Sequence, residues 1–428
     1  MSNMEAHGTC VFILWHRKFL VGFENMLRSM DPVANKCLTL PYFNYVQQNL
    51  DYINGKCTNM ESCAAQMRDF GGSTAGKWVP QQVSRTAFVN VRCVDTFPAN
   101  HQRGGCIMRG NWTQTFFPPD LNFNRIKNSL FVGQNVTAVN RAIEESPHNI
   151  MHNTLGGIML NRFLSPTEPM FWSHHSLVDV MNVIYHQCRV KTLNLRGAAK
   201  ASNPFSFQGC TTPNPNGKVD AMSIPTMKIA INDTYSVDVE DPSQETAKFF
   251  AGIPKNYYEL TDATQMGNNS YSYELPGLLG DLFTNCEKSG STINPPTPQT
   301  TARHLQESTT LNHIVVPLQD PNAFAFMNWR VTATEQAKSQ GLTGAQTEAD
   351  IEKMLVMVYE NCLPGEVVDY SESFKATWGV NHTMKSKKIV DSINAGTDAI
   401  RIDNWASINM DYFGCTGDNK ADKQPMSV

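Results

Sequence analysis

The apolar positions of the chain recur at helical spacing in its first part. Between Val11 and Met30 apolar residues repeat every three or four positions, while Arg17 and Glu24 mark a polar side. This spacing is typical of an amphipathic helix. The pair Asp31-Pro32 ends it, because proline cannot continue the hydrogen-bond ladder of a helix. One long helix is therefore predicted over Val11 to Met30.

Two further helix starts lie downstream. Ser146 suits an N-cap and Pro147 suits the first turn, where the missing N–H of proline costs nothing. The run Ser165-Pro166-Thr167-Glu168 combines proline at the first helical position with a Ser-x-x-Glu capping box. The helix that begins there is predicted to continue to about Gln187. Both predicted helices carry histidine pairs.

The remaining sequence shows mostly turn signals. Residues 51–111 are rich in Gly, Cys and Asn and predict a long cross-linked loop. After residue 190, turn signals alternate with short strand-like segments such as Met227 to Val237. The proline-rich stretch Ser289 to Thr301 indicates a linker, and one further helix is predicted at about Glu348 to Asn361.

These patterns predict a mainly α fold with four parts. Residues 1–190 form a helical region with long Cys-rich loops, and residues 191–288 form a turn-rich region with short strands. A linker follows at 289–303. Residues 304–428 are predicted to form a C-terminal α+β region.

The composition describes a folded chain without a nucleic-acid or membrane signature. The 428 residues are too many for one ordinary domain, and a hydrophobic content of 41% excludes wholesale disorder. With 35 basic against 39 acidic residues, the chain lacks the excess of Lys and Arg that nucleic-acid binding requires. No stretch approaches about 18 uninterrupted apolar residues, so no membrane span is predicted.

Cysteines and glycosylation tripeptides favour a secretory context. The 11 Cys include no CxxC pair, which favours disulfides over metal sites, and their odd number leaves at least one thiol unpaired. Five Asn-x-Ser/Thr tripeptides are candidate glycan acceptors, at Asn111, Asn135, Asn232, Asn268 and Asn381. Both features predict a secreted protein, while no signal peptide is visible in this sequence.

Histidine is the most informative residue type. His148 and His152 are four positions apart on a predicted helix, so their rings share one face and suit one metal. The zinc-protease pattern requires Glu directly after the first His, and Asn149 stands there instead. His174 and His175 project about 100° apart on their helix, so at most one of them faces that metal.

His7 and His16 form a second candidate pair. Nine positions apart, they would point to opposite faces of one continuous helix. For both to bind one metal, His7 must lie in an irregular segment before the helix. Two separated clusters suggest two metals, and an imidazole donor set without Cys or Met favours copper, zinc, nickel or iron over a blue-copper centre.

Three motifs resemble those of the tyrosinase and type 3 copper protein family. His7 to Glu24, HGTCVFILWHRKFLVGFE, is similar to the first copper-site signature, and Glu168 to Asp179, EPMFWSHHSLVD, is similar to the second. Ser146 to Gly157, SPHNIMHNTLGG, looks like the HxxxH helix of the family. The resemblance covers residues 1–190 and implies an antiparallel four-helix bundle that holds two copper ions.

The resemblance also implies a ligand set for the two ions. The first copper is expected on His7 and His16 and the second on His148, His152 and His175, with His174 as a non-ligand neighbour. The family's first copper has a further His upstream, and the six residues before His7 contain none. We therefore expect the natural N-terminal part, with its signal peptide, to be missing. The alternatives are a defective first site or one that borrows a distant His.

Other positions also depart from the family pattern. The Cys that many members link to a ligand by a thioether is absent, and Cys10 is not an obvious substitute. Glu168 replaces the usual Asp, a change that still allows a helix cap. Val180 stands where many members have Arg after Asp179, which leaves the usual ion pair of Asp179 in question.

The activity implied is copper-dependent oxidation of small phenols by O2, either ortho-hydroxylation of monophenols or oxidation of catechols to o-quinones. Hydroxylation requires removal of the phenol proton, whose pKa is near 10. Some family members hold a water for this step between a Glu and an Asn. Glu144, with Glu145 as the alternative, and Asn149 stand at the matching positions. The wall over the second copper is expected between Leu160 and Ser165.

Two other functions remain open at this stage. A hemocyanin-like O2 carrier uses the same copper pair behind a closed entrance, and a chain with an incomplete first site could be an inactive copper-binding protein. The region after residue 190 is also a candidate shield that blocks the site until proteolysis. Ser289 to Thr301 is the expected cutting point.

Overall fold

The computed structural model describes residues 3, 5–82, 88–95, 105–133, 135–212, 217–231, 235–290 and 311–414. The helices are α1 (Phe12–Met30), α2 (Tyr45–Ile53), α3 (Met60–Cys63), α4 (Ala65–Asp69), α5 (Phe123–Phe131), α6 (Val136–Ile143), α7 (Asn149–Leu155), α8 (Pro169–Tyr185), α9 (Gly197–Ser202), α10 (Ala247–Phe250), α11 (Gly277–Asn285), α12 (Pro321–Ser339), α13 (Gly344–Cys362), α14 (Glu372–Trp378), α15 (Lys385–Asn394) and α16 (Trp405–Phe413). The predicted mainly α fold is confirmed.

Strands in the described residues are short. They are β1 (Lys77–Gln82), β2 (Phe88–Val94), β3 (Ile107–Arg109), β4 (Cys210–Thr211), β5 (Lys218–Val219), β6 (Lys228–Ile231), β7 (Tyr235–Asp238), β8 (Glu274–Pro276) and β9 (Ile314–Val316). The first three form one antiparallel sheet, β4 pairs with β5 and β6 with β7, and β8 runs parallel to β9. The C-terminal α+β region is thus confirmed, and helices dominate it.

Helix α1 lies between two hydrophobic cores, which explains why it is buried on nearly all sides. Phe12 and Leu20 belong to the larger core, which α8 also lines. Leu14 and Trp15 belong to a second core built from residues 207–266. Because this helix packs against a core on two sides, some of its charged side chains are buried as well. Arg17 is fully buried.

Two predicted helix starts were wrong, each because of a proline. The helix predicted from Ser146 begins at Val136, with Asn135 as its N-cap, and Pro147 lies inside a π-helical turn over Glu144–His148. Such a turn replaces the regular i→i−4 ladder locally and so accommodates a residue without an N–H.

The second misplaced start is that of α8. The helix begins at Pro169, and the carboxylate of Glu168 accepts the Met170 N–H at 3.2 Å as the N-cap. Because the residue before a proline disfavours helical backbone angles, Glu168 stays extended and the capping role passes to it from Ser165. The capping ability expected of Glu168 is confirmed.

Glu168 also ties α8 to the Cys-rich loop. Its two carboxylate oxygens accept from Nη2 and Nε of Arg109 at 2.7 and 2.8 Å, and both side chains are fully buried. Arg109 in turn donates to the carbonyls of Phe70 and Gly72. A buried ion pair with further hydrogen bonds is costly to break, so the loop and the start of α8 are held in one arrangement.

Disulfides cross-link the loop and the region that follows the bundle. Among the described residues they join Cys10 to Cys210, Cys57 to Cys63, Cys93 to Cys106 and Cys188 to Cys286. Cys362 is also disulfide-bonded, whereas Cys37 is free and exposed. The predicted linker lies outside the described residues from 291 onward. No described helix combines the length and apolar character that a membrane crossing needs.

Candidate metal centre

Three separate segments bring six histidines together. They are His7 in the turn before α1, His16 in α1, His148 at the end of the π-helical turn, His152 in α7, and His174 and His175 in α8. All but His7 are buried, and the Nε2 atom of His7 is buried as well. This arrangement joins residues that are more than 160 positions apart in the sequence into one interior cluster.

The rings of this cluster are in direct contact. His7 and His16 have ring centroids 5.2 Å apart, and His16 stacks on His175 at 4.2 Å. His148 lies 4.6 Å from His152 and 5.0 Å from His175. The predicted pairs therefore occupy two sides of a single cluster, with His175 between them.

Hydrogen bonds to Nδ1 fix which nitrogen of each ring is free. Nδ1 of His16 donates to the Phe12 carbonyl at 2.9 Å, and Nδ1 of His152 donates to the Met159 carbonyl at 2.8 Å. A carbonyl oxygen only accepts, so the proton is on Nδ1 and the lone pair on Nε2. His148 Nδ1 is held in the same way by the Asn149 side-chain oxygen at 3.0 Å. This is the arrangement of metal-binding imidazoles.

Several of the free nitrogens lack any partner in the protein. Nε2 of His7, Nε2 of His148 and Nδ1 of His175 are buried without a hydrogen bond among the described residues, and Nε2 of His152 lies 3.4 Å from Nε2 of His175. Buried polar atoms are normally satisfied. Unsatisfied imidazole nitrogens that face one another therefore fit bound metal ions.

Burial keeps these rings in the neutral form. It lowers the pKa of His16 to about 3 and that of His152 to about 4. It also lowers the pKa values of His148 and His175 well below the usual 6.5. Neutral imidazole is the form that binds metal. An all-imidazole donor set suits copper among the metals it favours.

His174, predicted to be a non-ligand neighbour, lies within the histidine cluster. The ligand atoms of His148, His152, His174 and His175 all lie within 4.8 Å of one another. The two neighbours nevertheless face different surroundings, since His175 stacks on His16 while His174 lies 6.0 Å from the ring of Tyr45. His148 also contacts both sides of the cluster, because its ring lies 5.6 Å from the His7 ring and 4.6 Å from the His152 ring.

The other described histidines have surroundings of their own. His313 packs against Tyr273 and His382 against Tyr370, and His186 lines a separate cavity. His101 and His304 lie outside the described residues. Cys10 is disulfide-bonded to Cys210 and is therefore not available to modify a ligand.

The π-helical turn links the backbones of the two predicted catalytic residues. Its i→i+5 hydrogen bond runs from the Asn149 N–H to the Glu144 carbonyl. Glu144 is buried, and its carboxylate accepts the Gly8 N–H at 2.7 Å. Burial raises the pKa of Glu144 to about 8. Glu145 points elsewhere, because it pairs with Arg141 at 2.8 Å.

Asp179 has an ion pair in spite of Val180. Arg17, one residue after His16, donates from Nε to Asp179 at 2.7 Å, and both side chains are buried. The hydroxyls of Tyr271 and Tyr273 donate to the other carboxylate oxygen at 2.6 and 2.8 Å. The pair joins α1 to α8 beside the histidine cluster. Arg17 lies in the first motif, but only the fold shows that Asp179 is its partner.

A tryptophan of the C-terminal region covers the cluster. The indole ring of Trp378 lies 4.7 Å from the His152 ring and 5.2 Å from the His7 ring, and its N–H donates to the Leu160 carbonyl at 2.9 Å. Arg162 donates to the Thr377 carbonyl at 2.8 Å. The predicted wall segment therefore contacts α14. Sequence reasoning missed Trp378 because no local pattern marks it.

The segment that carries the histidine cluster matches a known protein family. Residues 1–188 match the family Tyrosinase, described as the common central domain of tyrosinase. The chain is similar to tyrosinase HcTyr1 of Hahella sp. (strain CCB-MM4), with 26% identity over 194 residues, which cover 41% of this chain and 36% of that protein.

Two further relatives are similar over the same part of the chain. The tyrosinase of Streptomyces antibioticus is 24% identical over 190 residues, 42% of this chain and 63% of that protein. Tyrosinase P of Aspergillus terreus is 23% identical over 220 residues, 41% of this chain and 58% of that protein. The chain thus spans less than two thirds of the length of each. The family match and the buried histidine cluster fall on the same residues, so residues 1–188 are similar to the common central domain of tyrosinase.

Proposed function

We propose that this chain catalyses the copper-dependent oxidation of small phenols by O2, by ortho-hydroxylation of monophenols, by oxidation of catechols to o-quinones, or by both. The match of residues 1–188 to the tyrosinase central domain supports a copper-binding oxidoreductase. The observation that carries the proposal is the set of buried, neutral imidazoles whose free nitrogens face one another without protein partners. Small phenols and O2 are the proposed substrates.

In this proposal two copper ions occupy the cluster. One is held by His7 and His16, and the other by His148, His152 and His175. When bound, the copper pair supplies the activation of O2 and the exchange of electrons with the phenol. The carbonyls of Phe12 and Met159 hold their histidine rings in the orientation that ligation needs.

Glu144 and Asn149 are proposed to manage the proton of a monophenol. Their backbones are joined by the hydrogen bond of the π-helical turn, and the Asn149 side-chain oxygen contacts Nδ1 of His148. A water held between them would accept the phenol proton and bring the substrate to its more reactive anion. Catechol oxidation depends less on this step, because a catechol gives up its electrons and protons without a new bond to oxygen.

Trp378 is proposed as the part of the C-terminal region that shields the site. Its ring occupies the space beside His7 and His152 where an aromatic substrate would have to lie. The hydrogen bonds from Trp378 to Leu160 and from Arg162 to Thr377 hold it there. A phenol can reach the histidines only when α14 moves or is removed.

Two alternatives have specific observations in their favour. A closed entrance under Trp378 suits a hemocyanin-like O2 carrier. A first site with only His7 and His16 suits an inactive copper-binding protein. Both differ from the proposal in whether a phenol is consumed.

We also propose a secreted, glycosylated protein. The disulfides among the described residues fit an oxidising compartment. Asn268 and Asn381 are exposed and suit glycans, whereas Asn111 and Asn135 are half-buried. Asn232 lies outside the described residues.

The copper-loaded chain should consume O2 when a catechol is added, as measured with an oxygen electrode and by quinone absorbance. Replacing His152 by Ala should lower the rate by about 100-fold or more. The loss of a metal ligand should reduce activity more than the loss of a residue that only orients a ligand. His382→Ala, outside the cluster, serves as the control and should leave the rate unchanged. Reversible O2 uptake without quinone would favour the carrier, and no uptake at all would favour the inactive protein.

Asn149→Ala should lower the ratio of tyrosine hydroxylation to catechol oxidation by about tenfold or more, since one positioned proton acceptor typically contributes at least that much. The ratio also corrects for any loss of copper, which affects both reactions. Glu145→Gln, which alters the exposed pair with Arg141, is the matched control. An unchanged ratio in Asn149→Ala would rule out its proposed role.

The same ratio should rise with pH between about pH 7 and pH 9. Burial raises the pKa of Glu144 to about 8, so the carboxylate form that accepts protons accumulates above that value. Glu144→Gln should flatten the profile at a low ratio. A profile that keeps its shape in this variant would show that another group controls the step.

Opening the shield should lower the KM for a catechol. Trp378→Ala should do so by about tenfold with a smaller change in kcat, because the apparent affinity scales with the fraction of open molecules. Trp78→Ala, on strand β1, is the control for loss of an indole. Mild proteolysis should have a similar effect. If neither Trp378→Ala nor protease changes phenol oxidation, the C-terminal region is not a shield.

A further inference from the structure

A second polar cavity lies next to the histidine cluster and takes no part in the proposed reaction. It measures about 100 Å³, and its wall includes Arg17, His186, Lys191, Asp262 and His313. A space of this size holds several water molecules or one small ion. Arg17 joins the two sites, because it follows His16 directly and pairs with Asp179.

Arg17 lines this cavity and carries one donor without a partner among the described residues. The residue is fully buried; its Nε donates to Asp179 and its Nη1 to the Leu260 carbonyl at 2.7 Å. Its Nη2 has no partner among the described residues. A buried guanidinium N–H without an acceptor is costly, so the cavity calls for a ligand that accepts hydrogen bonds.

His313 is fixed as a second donor. Its Nδ1 accepts the backbone N–H of Tyr273 at 3.0 Å, so the proton of the neutral ring is on Nε2. Burial lowers the pKa of His313 to about 4 and keeps the ring neutral. In this tautomer His313 has no lone pair left for a metal ion, and its Nε2–H can donate to an anion.

The charges on the wall select the kind of anion. Lys191 is exposed and adds a second cation beside Arg17, while Asp262 is the one carboxylate among the lining residues. Asp262 already accepts from the Thr264 N–H and hydroxyl at 3.0 and 2.7 Å. A fully deprotonated oxyanion meets repulsion from this carboxylate. An oxyanion that keeps one protonated oxygen can donate to it instead.

We propose that this cavity is a binding site for inorganic phosphate, held by Arg17, His313 and Lys191 and donating one P–OH hydrogen bond to Asp262. Charge-assisted hydrogen bonds from the two cations supply most of the affinity. The protonated oxygen supplies the selectivity, because sulfate at neutral pH has no proton to donate. The site is independent of the phenol oxidation proposed above.

Isothermal titration calorimetry of the copper-loaded full chain with inorganic phosphate tests this site. We expect one saturable site per chain, with sulfate at least about tenfold weaker. Lys191→Ala should weaken phosphate binding by about tenfold. Lys36→Ala, which removes an exposed lysine of the loop after α1, should leave it unchanged.

Asp262→Asn tests the anion selectivity while the fold is kept. Asn is also a good cap for the helical turn that follows residue 262. In this variant phosphate and sulfate should bind with similar affinity. The proposal is overturned if no saturable binding appears up to about 10 mM phosphate, which means water alone fills the cavity. It is equally overturned if Lys191→Ala binds phosphate as the parent does, since the anion then binds elsewhere, for example at the copper ions, or if the parent binds sulfate as tightly as phosphate.

Discussion

The burial of six imidazoles against one another is the constraint on which the rest of the structure depends. Among the described residues, five ring nitrogens of this cluster are buried without a hydrogen bond: Nε2 of His7, Nε2 of His148, both nitrogens of His174 and Nδ1 of His175. Unsatisfied buried polar atoms reduce the free energy of unfolding. Metal ions bound as proposed would satisfy the same nitrogens and would thereby couple stability to metal binding.

The surrounding structure keeps the histidines in place. Helix α1 carries His16 between two hydrophobic cores, and the buried pair of Arg17 with Asp179 fixes it against α8, which carries His175. The pair of Arg109 with Glu168 fixes the start of α8 against the Cys-rich loop. Ion pairs of this kind are retained where geometry matters, because removing one partner leaves a buried charge.

The sequence predicted much of this centre, and its failures have physical causes. The spacing of His148 and His152 and the position of His7 before α1 led to the cluster, because helical periodicity is a local property. Pro147 misled the prediction, since a π-helical turn accommodates a proline that normally marks a helix start. Trp378 was missed because a contact between distant segments leaves no periodic signal.

Two metal ions are proposed to bind this cluster, although the first site has only His7 and His16 among the described residues. The most direct test is the copper-to-chain ratio after copper loading and removal of loosely held metal. We expect a ratio of about two for the chain and about one for His16→Ala. A ratio of about one in the unmodified chain, unchanged in His16→Ala, would contradict the account and leave a single site on His148, His152 and His175.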